Sequence, residues 1–196
     1  IGAFADMSLD GAFLQDGAGD VNTAGDITTT GDTINFNGNV TLTGAVDLDS
    51  TNTVPAGATI TFGGTLNGTQ NLTLNAGTGG NIDFDAVVGT TILGNVSITN
   101  ANNVTADAAF SATTISQTAG GGTTTFSNTV NTNGAGGIDL NGNQFTFSNA
   151  VTTTGGGPVA VTNTGLLTIA GAANMSLDGS FTQNTGLVSM AGDITT

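Results

Sequence analysis

The chain of 196 residues contains no Lys, Arg, His, Cys, Trp or Tyr, and all 14 of its acidic residues are Asp, giving a formal charge of −14. With no cation to neutralise phosphate, neither nucleic acid nor an anionic lipid surface is an expected partner. The lack of Cys excludes disulfides and thiol chemistry, and no run approaches the ~18 consecutive apolar residues of a membrane span.

Lys, Arg and Glu, among the best helix formers, are replaced here by Thr, Val, Ile, Phe, Asn and 32 Gly, which favour strands and turns. An all-β fold is expected. The chain is 37% hydrophobic, and the apolar residues are evenly spread, so it has the material for a core that a disordered segment lacks.

In chain order, the opening block runs through Met7–Gly11 (MSLDG), Phe13, Gln15 and Ala24–Thr29 (AGDITT). A short phrase then recurs: two apolar residues two apart, and a third four further on. It is read at Ile34, Phe36 and Val40, at Ile60, Phe62 and Leu66, at Ile82, Phe84 and Val88, and at Phe145, Phe147 and Val151. Phe126–Val130 (FSNTV) and Phe147–Val151 (FSNAV) are nearly verbatim, 21 residues apart. Such alternation is the period of a strand with one buried face. Between the phrases lie Asn37-Gly38, Gly63-Gly64, Asn67-Gly68, Gly79-Gly80, Gly120–Gly122, Asn141-Gly142 and Gly155–Gly157, residues that supply the positive φ of sharp corners. Without Lys these glycines form no phosphate loop.

The chain closes on its own opening. MSLDG returns at Met175–Gly179, Phe13 and Gln15 return as Phe181 and Gln183, and AGDITT returns at Ala191–Thr196, one residue having dropped out between. The expected organisation is a single continuous β-solenoid segment over 1–196, slightly more than one cassette of 168 residues, with 1–29 repeated at 169–196. A start at Ile1 suggests a piece of something longer.

Strands of four or five residues between corners, recurring every 16 to 26 residues, fit a parallel β-helix better than antiparallel sandwiches with their longer strands. Coils of about 20–25 residues stacked at about 4.8 Å would give seven or eight per cassette, a rod advancing roughly 35–40 Å. The expected interior ladders are Phe36, Phe62, Phe84, Phe126 and Phe147 in one sheet, and Val40, Leu66, Val88, Val130 and Val151 in the next.

Phrases such as TINFNGNVTLTG, TITFGG and TTTFSNTVNTNGAGGIDLNGNQ resemble the repeats of bacterial surface proteins of the filamentous haemagglutinin and autotransporter-passenger kind, over essentially the whole chain. The resemblance implies a right-handed parallel β-helix, export to the cell surface or medium, and a role in adhesion or extracellular fibres. It carries over no catalytic, cofactor or metal residue. The absence of Lys and Arg departs from most such passengers.

Candidate sites come from Asp and Thr. Asp47 and Asp49, like Asp83 and Asp85, flank apolar residues and should project from one outer face about 6.5–7 Å apart, a spacing open to an inverting pair of carboxylates. No cation exists to position a substrate beside them, so a solvated outer face is the expectation. Asp16–Asn22 (DGAGDVN) and Asn81–Asp85 (NIDFD) gather oxygen ligands as calcium would require, but Asp6 and Asp16 become Asn174 and Asn184 in the second copy, which favours turn-forming roles. Thr28/Thr30, Thr41/Thr43, Thr59/Thr61, Thr123/Thr125 and Thr152/Thr154 resemble the Thr-x-Thr ranks of ice-binding proteins, at irregular intervals.

Both ends, Ile1–Phe4 and Ile194–Thr196, continue the pattern without a cap, and Lys, a usual guard of exposed edges, is missing. The expected partner is the chain itself, stacked head to tail. The functional expectation is a non-enzymatic segment of an extracellular fibre, with an adhesin stalk binding glycans, surfaces or ice as the alternative.

Overall fold

The computed structural model describes residues 1–2 and 5–196; of the opening Ile1–Phe4, Ala3 and Phe4 lie outside the described residues. The described residues wind as a parallel β-solenoid of about nine coils, with no helix among them. Each coil lays down strands on three faces in turn. The first face carries nine strands: Phe13–Gln15, Ile34–Phe36, Ile60–Phe62, Ile82–Phe84, Val104–Ala106, Thr123–Phe126, Gln144–Phe147, Leu166–Ile169 and Leu187–Met190.

The second face begins with Val21–Thr23 and Val40–Leu42 and ends with Met175–Ser176 and Ile194–Thr195; the third begins with Met7–Leu9 and Ile27–Thr29 and ends with Val159–Asn163 and Phe181–Asn184. Two long strands, Val88–Asn100 and Phe110–Gln117, run without a break from the second face onto the third and join them into one sheet. Apart from these two, the strands are two to five residues long, as the dense glycine corners dictate.

Every strand pair is parallel. Coil length is read from register: Ile60, Ile82 and Val104 stand in one column 22 residues apart, whereas Val21 to Val40 takes 19 and Ile34 to Ile60 takes 26. The corners absorb the difference, so the strands stay in register while the loops vary.

The two interior ladders form as the pattern implies. Phe36, Phe62 and Phe84 stack at 5.5 and 5.4 Å with rings within 7° of parallel, and Phe126 and Phe147 stack at 5.4 Å. The aromatic column is broken where Ala106 occupies the same register position. Phe110, reaching in from the second face between Val88 and Val130, fills that space and meets Phe84 and Phe126 edge-on. All these side chains are buried, each contributing about 1.5–3 kcal/mol in burial alone.

Glycine at most of these corners answers a different need from the positive φ expected of it. Gly68 and Gly155–Gly156 do adopt positive φ, but Gly38, Gly63 and Gly64 do not. At Gly64 a Cβ would run into the backbone of Gly38 and Asn39 one coil below, while at neighbouring Gly63 it would meet nothing closer than 3.4 Å. The 4.8 Å stacking distance leaves no room for a side chain where two corners lie back to back.

Candidate functional site

The outer surface is organised by side-chain oxygens that reach from one coil to the next. Backbone N–H groups at or near the start of a strand gain an acceptor beyond the ladder, which matters most where the donor is half-buried. An Asp or Asn in the coil below supplies it. Oδ1 of Asp6 accepts from the backbone N–H of Asp26 at 3.0 Å, and Oδ1 of Asp26 accepts in turn from that of Asp47 at 2.7 Å. Asn39 serves Thr65, Asn71 serves Asn95, Asn81 serves Asn103, and Asn103 serves Thr123, at 2.8–3.2 Å.

The second copy of the opening block repeats the device with a different residue. Oδ1 of Asn174 accepts from the N–H of Asp193 at 3.0 Å, the counterpart of Asp6 with Asp26. What both residues share is the carbonyl-type oxygen at Cγ, not the charge.

The same geometry defines the candidate carboxylates. Asp47 and Asp49 do project outward around buried Leu48, and Asp83 likewise beside Phe84, with Asp85 exposed just beyond the strand end. Oδ1 of Asp49 is engaged by the backbone N–H and the hydroxyl of Thr51 at 2.7 and 2.5 Å. Partial desolvation raises the Asp47 carboxyl above its ordinary value, helped by the charges of Asp26 and Asp49. Asp83 is raised for the same reason, with Asp85 and Asp107 adding repulsion.

An open hollow of ≈ 220 Å³ lies beside Asp26, Asp47, Asn71 and Thr73. A glycosidic bond is cleaved between an acid and a base standing on either side of it. Asp26 and Asp47 both line this open hollow, and the charges of Asp26 and Asp49 act on Asp47 as like-charge repulsion.

Three of the oxygens considered for calcium serve coil contacts. The backbone carbonyl of Asp16 accepts from Asn37 Nδ2 at 3.1 Å, Oδ1 of Asp20 accepts from Asn39 Nδ2 at 2.9 Å, and Oδ1 of Asn81 takes both the backbone and the side-chain N–H of Asn103. Among the described residues no three or more Asp carboxylates gather as a metal would require.

The Thr-x-Thr pairs scatter over the faces: Thr28 stands on the third, Thr41 and Thr152 on the second, and Thr59/Thr61 and Thr123/Thr125 on the first. The register does, however, align a rank that spacing along the chain hides. Thr105, Thr125, Thr146 and Thr168 stand one above another on the outside of the first face, with Asp83 and Thr61 continuing the column below. Sequence spacing missed it because the four residues are separated by 20, 21 and 22 positions.

Inside, two polar networks had no sequence signal. Gln117, buried at a column position otherwise held by Ile98 and Leu140, accepts through Oε1 from the Thr124 hydroxyl at 2.7 Å. Asn163, fully buried, donates to the Gly165 carbonyl and accepts from Gln183 Nε2 at 2.7 Å.

Comparison of the chain with protein-family models, with curated proteins and with solved structures gives no match.

Proposed function

We propose that this chain is a non-enzymatic structural segment of an extracellular fibre or surface filament, of the filamentous haemagglutinin and autotransporter-passenger kind that its repeats resemble. The observation that carries it is the exchange of Asp6 for Asn174 between the two copies with the 3.0 Å inter-coil hydrogen bond kept. A charge is given up and a scaffold contact is retained, so the repeated element specifies winding.

The rod's ends suit a partner of the same kind. At one end Leu187, Val188 and Met190 are exposed on a strand paired on one side only, although Val188 and Met190 continue the interior columns of Leu167 and Ile169. At the other end, among the described residues, the strands Met7–Leu9 and Phe13–Gln15 are paired on one side only, while Val21–Thr23 is met on its far side by Ile1, which donates to the Asn22 carbonyl and accepts from the Ala24 N–H. Apolar residues at an open strand edge favour stacking on another coil, through the parallel ladder that the chain already repeats internally. A second copy is the proposed partner, whether joined covalently or by stacking.

A second function, an adhesin stalk that recognises glycans or surfaces along its side, is favoured by the Thr105–Thr168 rank alone. Electron microscopy of the purified protein without ligand separates the two. Unbranched filaments support the structural role, whereas isolated short rods that bind a glycan saturably, with binding lost on Thr125→Val and Thr146→Val, would replace it with the second.

A further inference from the structure

The two copies of the repeated block occupy different faces of the rod. Met7 lies on the third face and pairs with Ile27; its counterpart Met175 lies on the second face and pairs with Ile194. Phe13 is on the first face and Phe181 on the third; Val21 is on the second and Val188 on the first. The whole block has moved back by one face. Its internal pairing is untouched, for Ser8 stands opposite Thr28 as Ser176 stands opposite Thr195.

The cause is arithmetic. From Met7 the chain passes through 23 strand positions to reach Met175, counting each of the two long strands on both faces it crosses. Three positions make a coil, so the cassette spans seven coils and two further faces. The block tolerates the change because its strands offer nearly the same thing to any face: mostly apolar residues inward and mostly Ser, Thr or Asn outward, the exceptions being Leu14 outward and Gln15 and Gln183 inward. Nothing in it is chemically matched to one face.

We propose that successive copies of this 168-residue sequence follow one another along the rod by a screw of one-third turn, each copy meeting the next one face out of step. This rests on the fibre role proposed above. At about 4.8 Å per coil each copy advances about 37 Å, and the outer surface regains its orientation only after three copies, about 110 Å. A rank confined to one face of one copy, such as Thr105 to Thr168, then appears in turn on all three faces. The rod displays its side chains around its axis, as suits multivalent contact from any side, and carries no uninterrupted flat rank for an extended planar surface such as ice.

Two measurements test this separately. The chain has no Cys, so engineered pairs report contacts without interference. Directly stacked parallel neighbours lie within disulfide range. The shifted placement puts Ser176 over Thr152, so Thr152→Cys with Ser176→Cys should oxidise readily and Thr162→Cys with Ser176→Cys should not. Keeping the block on its original face would put Ser176 over Thr162, which continues the column of Ser8, and the reverse result would overturn the shift. Helical reconstruction of filaments of the parent protein tests the screw itself: a turn of one-third per copy supports it. Filaments repeating by a whole number of coils without rotation would overturn the screw and leave the fibre role standing. Absence of filaments would overturn the fibre role and the screw with it, whatever the disulfides report.

Discussion

The rings of Phe84 and Phe110 lie 5.2 Å apart at 87°, across the one register position in the aromatic column where the first face offers only Ala106. Two neighbouring positions on different faces thus share one volume. Phe110→Val should leave a cavity and cost about 2–4 kcal/mol, and Ala106→Phe alone should overpack the site at about 1–3 kcal/mol. Combined, they restore a phenylalanine to the column and a valine to the second face, so urea denaturation of the four-member cycle should show a favourable coupling above about 1 kcal/mol. Additive losses would mean that the two residues do not share the space.

The inter-coil oxygens make a prediction in which charge and geometry part. Asn174→Asp keeps the Oδ1 acceptor for the Asp193 N–H, as Asp6 does for Asp26, and should shift stability by less than about 0.5 kcal/mol. Asn174→Ala removes that acceptor and should cost about 0.5–1.5 kcal/mol. The denaturation midpoints of the two variants check the contrast.

Adjacent glycines should respond unequally. Gly64→Ala forces a methyl against the backbone of Gly38 and Asn39 and should cost more than about 1–3 kcal/mol, because backbone cannot step aside as a side chain can. Gly63→Ala has ordinary contact distance and should stay within about 0.5 kcal/mol. Thermal unfolding of the pair, measured side by side, decides whether close approach or turn conformation sets the corner.

Acid should strengthen the fold. Asp47 and Asp83 have carboxyls raised above 3.8 by desolvation and by neighbouring aspartates, so the folded state binds protons more readily than the unfolded chain. Stability then falls as pH rises through the raised values, and it recovers as pH drops from neutral, the relief being complete only below 3.8. The Asp47→Asn, Asp83→Asn double variant should be more stable than the parent at neutral pH, with a flatter profile between there and pH 4. A parent that loses stability steadily over the same interval would contradict the sign.

Much of the winding was legible in the sequence because burial writes a period of two into each strand and the 4.8 Å stack repeats it. Ile60, Phe62, Ile82 and Phe84 declare their columns without help. The number of faces was not legible, since the third face is built from phrases such as Val46–Asp49 and Leu72–Asn75 that look like every other phrase. Nor were the contacts that depend on coil length. Ala106 beside Phe110, the Thr105–Thr168 rank and the fully buried Asn163 all follow from register between coils of unequal size, and only the folded chain reveals which residues that register brings together. The Asp residues were legible as turn formers, but their role as acceptors for the next coil needed the stack to be seen.

The central claim is that the scaffold continues from one copy into the next by the same parallel stacking that builds it within a copy. X-ray diffraction from aligned filaments of the protein tests that most directly. A strong meridional reflection at about 4.8 Å, with strands perpendicular to the fibre axis, is the predicted result. Filaments lacking that reflection, or a protein that stays a single short rod at every concentration and salt, would contradict it.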